Sequence, residues 1–235
     1  MRFAVLAGLL LCAAAAYGQA VNKSAKPPEE VPKLANGKPD LSGVWDIPYT
    51  PDMEKNYGQP LPYTAAGKKD WESFDDAKFD NTGHCLPAGL TRQMNTPMPM
   101  EIVQNPTKIA FLWEGFGSFL TVPTDGRPAR KIDPAWIGES VGHWDGDTLV
   151  IESANFNGRT RLDTRGHPHS KNLKVTQRFA RTSPTEIAYE VTIDDPEYYT
   201  KTWSNKRVFK LRPDWELMEY NCMENNLDLL EGHIK

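Results

Sequence analysis

From residue 100 onward, apolar and polar side chains alternate in short runs: MEIVQN (100–105), KIAFLWEG (108–115), GSFLTVP (117–123), ESVGHW (139–144), TLVIESANF (148–156), LKVTQRFAR (173–181), TEIAYEVTI (185–193), YTKTWSNKRVFKL (199–211) and WELMEYNC (215–222). A period of two sends successive side chains to opposite faces of an extended backbone, so each run predicts a strand, and LSGVWDI (41–47) predicts one more ahead of them. The breaks carry turn chemistry, most clearly at Asp145-Gly146-Asp147, where glycine offers the positive φ of a tight hairpin.

The apolar faces of these strands are not uniformly apolar. Leu173, Val175 and Phe179 share theirs with Gln177; Ile187, Tyr189, Val191 and Ile193 form a second; Trp203, Phe209 and Leu211 share a third with Asn205 and Arg207. Such mixtures suit a sheet closed around a partly polar interior better than a sandwich core. Nine or ten sequential strands therefore predict an all-β fold, an up-and-down antiparallel barrel. The barrel domain should span 41–235. Ahead of it, 21–40 is rich in Lys, Pro and Glu and reads as a flexible linker. Between the first strand and residue 98 lies a long insertion. In it Thr64 is placed to cap one short helix over 65–78, with Trp71, Phe74 and Ala77 on one face and Gly67 as a weak point.

Residues 1–20 combine Arg2, an apolar run too short to span a bilayer, and small residues ending at Ala20, which is the pattern of a cleaved signal peptide. A periplasmic or secreted protein follows, with no membrane insertion after cleavage. The whole chain carries 27 basic and 31 acidic side chains, a formal charge of −4, and loss of Arg2 makes it −5. An acidic, well-mixed surface speaks against nucleic acid as a partner. Cleavage also removes Cys12, and in an oxidising compartment the remaining Cys85 and Cys222 are expected to form a disulfide.

The five histidines include His167 and His169 in TRGHPHS (164–170). This stretch lies between two predicted strands, at the mouth of a barrel. Paired with His143 they would be the candidate metal ligands, although an H-x-H pair alone fixes no metal. As an alternative, Asp163 could hold one imidazole in a single tautomer as a general base, which makes His143, Asp163, His167 and His169 the catalytic candidates of an enzyme. The loop is expected to be exposed, so that replacing both histidines leaves stability nearly unchanged. Arg127 and Arg165 could clamp an anionic group at the entrance, and Trp113, Trp144 and Trp203 could stack on a planar ligand. Asp194-Asp195, ahead of Pro196, reads as a turn cap. The chain has no G-x-S-x-G elbow and no phosphate-binding glycine loop, and no cofactor is expected.

GVW (43–45), on the first strand of an exported β-rich chain, resembles the Gly-x-Trp entry of the lipocalin and calycin barrels. That resemblance implies a tryptophan closing the barrel floor against a basic residue from the last strand, for which Arg207 and Arg212 are the candidates. DLSGVW, CLPAGLTR, GHWDGDTLVIESANFN, RGHPHS, VTIDDPEYYTKTW and EYNCMEN are similar to a large family of exported bacterial lipocalin-like proteins; this resemblance implies the topology and no activity. Two functions follow for test. One is the binding of a small, partly apolar or aromatic molecule inside the barrel. The other is a small-molecule hydrolase, lyase or isomerase, cofactor-free or metal-assisted, that uses the His167/His169 loop.

Overall fold

The computed structural model describes residues 30–224 and 226–232. The expected signal peptide and residues 21–29 of the linker lie outside the described residues. Strands form where the period of two placed them: β1 (Gly43–Asp46), β2 (Met100–Asn105), β3 (Lys108–Trp113), β4 (Ser118–Pro123), β5 (Glu139–Asp145), β6 (Thr148–Ala154), β7 (Lys174–Ser183), β8 (Glu186–Asp194) and β9 (Trp203–Leu211). They make one sheet in the order β4-β3-β2-β1-β9-β8-β7-β6-β5, with every ladder antiparallel. Gly146 takes φ 59° in the two-residue turn between β5 and β6, which suits the right-handed twist of the hairpin.

The sheet curls into a nearly closed barrel, and the strand count explains why closure is incomplete. From β1 the direction reverses three times on the way to β4 and five times on the way to β5, so these two end strands run the same way. They pack side by side, close enough that a Cβ on Gly142 would sit 2.9 Å from Val122, but no ladder joins them. Their connection, 124–138, must travel the length of the barrel. It leaves β4 at the end where Lys108 pairs with Pro123 and enters β5 at the end where Glu139 pairs with Ala154.

The first of these ends is the floor. Trp45 is fully buried there, its indole N–H donates to the Leu41 carbonyl at 2.9 Å, and a guanidinium lies 5.2 Å from its ring. That guanidinium belongs to Arg181 of β7, not to the last strand. Arg207 instead faces Tyr189 inside the barrel and Arg212 stacks on Trp215. Residues 32–40 also fold at this end, as a small hairpin in which Asp40 N–H donates to the Pro32 carbonyl and Lys38 reaches the Gly146 carbonyl. The linker composition thus extends into hydrogen-bonded structure.

The tenth run, 215–222, forms no strand. Both edges of β9 are taken, by β8 and β1, so a strand following it cannot form a hairpin with it. This segment instead returns over the insertion, where Cys222 is bonded to Cys85.

The insertion is more helical than expected. Short helices α1 (Met53–Tyr57), α2 (Ala65–Glu72), α3 (Asp76–Phe79) and α4 (Leu90–Gln93) replace the single helix over 65–78, and α5 (Leu227–Leu230) lies near the C-terminus. Thr64 does cap α2, accepting from Gly67 N–H at 3.1 Å. Ser73 ends that helix by turning its hydroxyl back onto the Asp70 carbonyl. Asp52 caps α1 by accepting from Lys55 N–H.

The insertion closes the mouth of the barrel and enters it. Met53, Leu61, Leu90 and Met94 belong to the same buried cluster as Phe111, Phe179, Tyr189 and Phe209. Phe111 on β3 meets Phe179 on β7 across the barrel, with ring centroids 5.2 Å apart, and Tyr189 stacks on Phe209 at 4.8 Å. The polar interior positions expected from the sequence are buried as predicted, but the protein itself satisfies most of their polar atoms, with Arg207 Nε left without a partner among the described residues. Tyr189 donates to Gln177, Asn205 donates to the Met53 carbonyl and accepts from Asn56, and Arg207 donates to the Met94 carbonyl and to Asn95. Pairing these buried polar groups with the insertion offsets much of their desolvation cost and fixes the lid in register.

Candidate functional site

TRGHPHS is buried in this lid. Asp163 and His167 are 0% and 1% exposed, which overturns the expectation of an exposed loop. The reason is the insertion, which covers the connection between β6 and β7. Gly166, at φ 77°, lies directly beneath Phe74, where a Cβ would come within 2.1 Å of the ring. Asp163 Oδ2 lies 2.6 Å from His167 Nδ1 and accepts Met53 N–H at 2.6 Å, while Oδ1 accepts His167 N–H. The Asp–His pairing read from the sequence therefore exists. Its ring packs between Trp71 and Tyr63.

The two histidines do not share a target. His169 Nδ1 lies 2.9 Å from the Ser170 carbonyl and Nε2 lies 2.7 Å from Thr160 Oγ1. A carbonyl only accepts, so Nδ1 carries the proton and the Thr160 hydroxyl donates to Nε2. Asp195 holds the next residue, accepting from Ser170 N–H and Oγ at 2.6 and 2.8 Å. It also accepts from Glu197 N–H, so the turn-cap reading applies and the cap reaches further than its own turn.

The remaining expected site residues lie elsewhere. His143 is exposed on β5 and joins no group with the other two. Arg127 follows β4 at the floor end and is held by Asp125 in a bidentate contact, which depresses the Asp125 carboxyl to about 2. Arg165 is exposed beside Trp71 and Phe74. Trp113 and Trp203 are core residues, 3% and 2% exposed, because rings fill the lumen that a ligand was expected to occupy. Trp144 is half-buried under Lys38.

Among the described residues the group of three able to share a cation is Asp52, Asp163 and His167. Their convergence is accounted for by hydrogen bonds: Asp163 Oδ2 already takes two short contacts and Asp52 caps α1. His143 and His169 contribute nothing to it.

A cleft of about 460 Å³ opens where the lid meets the β6–β7 connection. It is lined by Asp70, Lys78, Phe79, Asn81, His84, Leu86, residues 158–161, His169 and Tyr198. Arg161 pairs with Asp70, which also accepts from Tyr198 at 3.1 Å. Burial and that carboxylate push the Tyr198 phenol up to about 12. Asn81 donates to the Arg159 carbonyl at 2.6 Å and sets the wall. Sequence reasoning missed all of these except His169, although NGRTR (157–161) brackets a threonine with two arginines.

Burial pushes the His169 imidazole below its ordinary value, against weaker opposing pulls from the Ser170 carbonyl and Asp195. The folded chain therefore binds this proton less tightly than the unfolded one, so the stability it contributes is full above about pH 6.5 and is lost as the pH falls below it. Melting temperature should drop between about pH 7.5 and about pH 5.5 by more in the wild type than in His169→Gln. Equal drops would clear His169 of the slope.

No protein-family model matches the chain, and no curated protein matches it. Fold and site together define a lidded up-and-down β-barrel whose interior is packed and whose open recess lies at the rim. None of its described helices is long and apolar enough to cross a membrane.

Proposed function

We propose that this is an exported lipocalin-like protein that binds a small, partly apolar anion, such as an aromatic carboxylate, in the rim cleft. The observation that carries the reading is charge. Lys78, Arg159 and Arg161 line the cleft with the carboxylate of Asp70, on a chain whose net charge is −4, and Lys78 also lies 3.4 Å from Asp75. Asp70 is committed to Arg161 and Tyr198, whereas the Arg159 guanidinium has no partner among the described residues. An unpaired guanidinium on a recess is the group that clamps a carboxylate. Phe79 and Leu86, both exposed on the same walls, offer apolar surface for the rest of the ligand. The leader-like first twenty residues and the Cys85–Cys222 bond support export. The partner is a small molecule; the acidic chain gives no footing for nucleic acid.

Calorimetric titration with 4-hydroxybenzoate should give saturable binding. Arg159→Ala and Lys78→Ala should each weaken it roughly tenfold, the worth of one charge-assisted hydrogen bond. Absence of binding, or binding indifferent to both substitutions, would remove the cleft from consideration. A second reading, a hydrolase, is favoured by one observation, the imidazole–hydroxyl pair on the cleft floor.

A further inference from the structure

We propose that the cleft hydrolyses esters that carry a carboxylate, with Thr160 as nucleophile and His169 as its general base. The inference rests on the cleft being a small-molecule site. Its own support is geometric. A hydroxyl becomes a nucleophile when a base within hydrogen-bond reach takes its proton and a third group holds that base in the correct tautomer. Thr160 Oγ1 stands 2.7 Å from His169 Nε2, and the opposite ring nitrogen donates to the Ser170 carbonyl at 2.9 Å. Asp195 clamps the amide and hydroxyl of Ser170 and so positions the carbonyl that orients the ring. Nucleophile and base both line the cleft.

The surroundings keep the pair usable. Thr160 and His169 are 6% and 5% exposed, so the relay works away from bulk water, where electrostatic effects are stronger. Gly89 passes directly over the threonine: a Cβ there would lie 2.6 Å from Oγ1 and 2.7 Å from its Cβ. Only a glycine fits there, and this close packing holds the threonine side chain in place against the lid. Burial also keeps His169 in the neutral form that can accept a proton. Arg159, unpaired on the same wall, is available to the carboxylate of the substrate.

The chemistry closes with water as the only co-reactant. The Thr160 hydroxyl gives its proton to His169 Nε2 as Oγ1 bonds to the ester carbonyl carbon. The tetrahedral adduct then breaks its bond to the alcohol oxygen, which leaves with the proton from Nε2. Water next gives a proton to Nε2 and bonds to the acyl carbon. Finally the bond to Oγ1 breaks and the threonine recovers its proton. One ester and one water become one acid and one alcohol.

The test uses the folded chain and the mono-4-nitrophenyl ester of succinic acid. Steady turnover is expected, with an acylated Thr160 peptide found by mass spectrometry after acid quenching. Thr160→Val and His169→Gln should each lose about a hundredfold or more in rate, while Thr160→Ser retains turnover and an acyl group on the serine. Should Thr160→Val not fold, the quenched wild type still decides: an acyl group on another residue, or on none, overturns the proposal, as does unchanged turnover in a folded Thr160→Val. The two readings fail separately. Binding of 4-hydroxybenzoate without acylation leaves the binding site and ends the esterase; acylation of Thr160 by the succinate ester, and not by neutral 4-nitrophenyl acetate, without benzoate binding does the reverse.

Discussion

His167→Ala should destabilise the protein by roughly 3–5 kcal/mol, the usual cost of leaving a buried carboxylate without its hydrogen-bonded partner. The carboxylate it leaves behind is fully buried, and its Oδ2 keeps only the Met53 amide. That amide begins α1, so the same oxygen ties the lid to the β6–β7 connection, and loosening it should be felt in both. For a domain of this size the change corresponds to a melting temperature lower by roughly 10 °C. His167→Asn, whose side-chain amide can approach the place of Nδ1, should recover part of the loss. Thermal melts followed by near-ultraviolet circular dichroism, which reports Trp71 against the ring, would measure it. A melt within about 2 °C of wild type would mean that the pair is not what holds the lid.

Gly67→Ala sets two effects against each other. Helix propensity alone favours alanine inside α2 by about 1 kcal/mol. Packing opposes it, because the new Cβ would lie 2.3 Å from the Tyr198 carbonyl oxygen and 3.0 Å from its carbon, both backbone atoms. That oxygen also accepts from Thr64 N–H at 2.9 Å, so the clash cannot be relieved without disturbing the α2 cap. Overpacking of a closed site costs roughly 1–3 kcal/mol or more, and a contact this short belongs at the upper end. A net loss of about 2 kcal/mol is expected, seen as a lower urea midpoint with an unchanged slope. A more stable variant would show that α2 shifts freely against the 195–202 turn.

The strands were legible because alternation is a local property that a closed sheet does not alter. Interior positions such as Gln177, Asn205 and Arg207 were legible for the same reason. The role of Asn205 and Arg207 was not, since the partners they hold, Met53, Asn56, Met94 and Asn95, come from the insertion more than a hundred residues away. Asp163 and His167, four residues apart, could be paired from spacing alone. What spacing cannot supply is burial: Gly166 looks like an open turn until Phe74 is seen to lie on it. The cleft was the least legible feature, because its walls come from five separate stretches, around residues 70, 78–86, 158–161, 169 and 198, which no local pattern brings together. The tenth strand failed for a topological reason that periodicity does not encode.

Topology also gives residues 124–138 a meaning beyond that of a connector. A ring of alternating directions has an even number of members, and hairpins add strands two at a time, so nine strands joined as these are keep one same-direction pair however the barrel grows. The chain between β4 and β5 climbs from floor to mouth, opposite in direction to both. It has the heading of the strand that would make the count even. Pro128 and Pro134 lack the N–H that a ladder needs, and residues 125–134 stay exposed. The parity defect is thus written into this segment's own sequence, and the barrel carries along one side an unlaced placket.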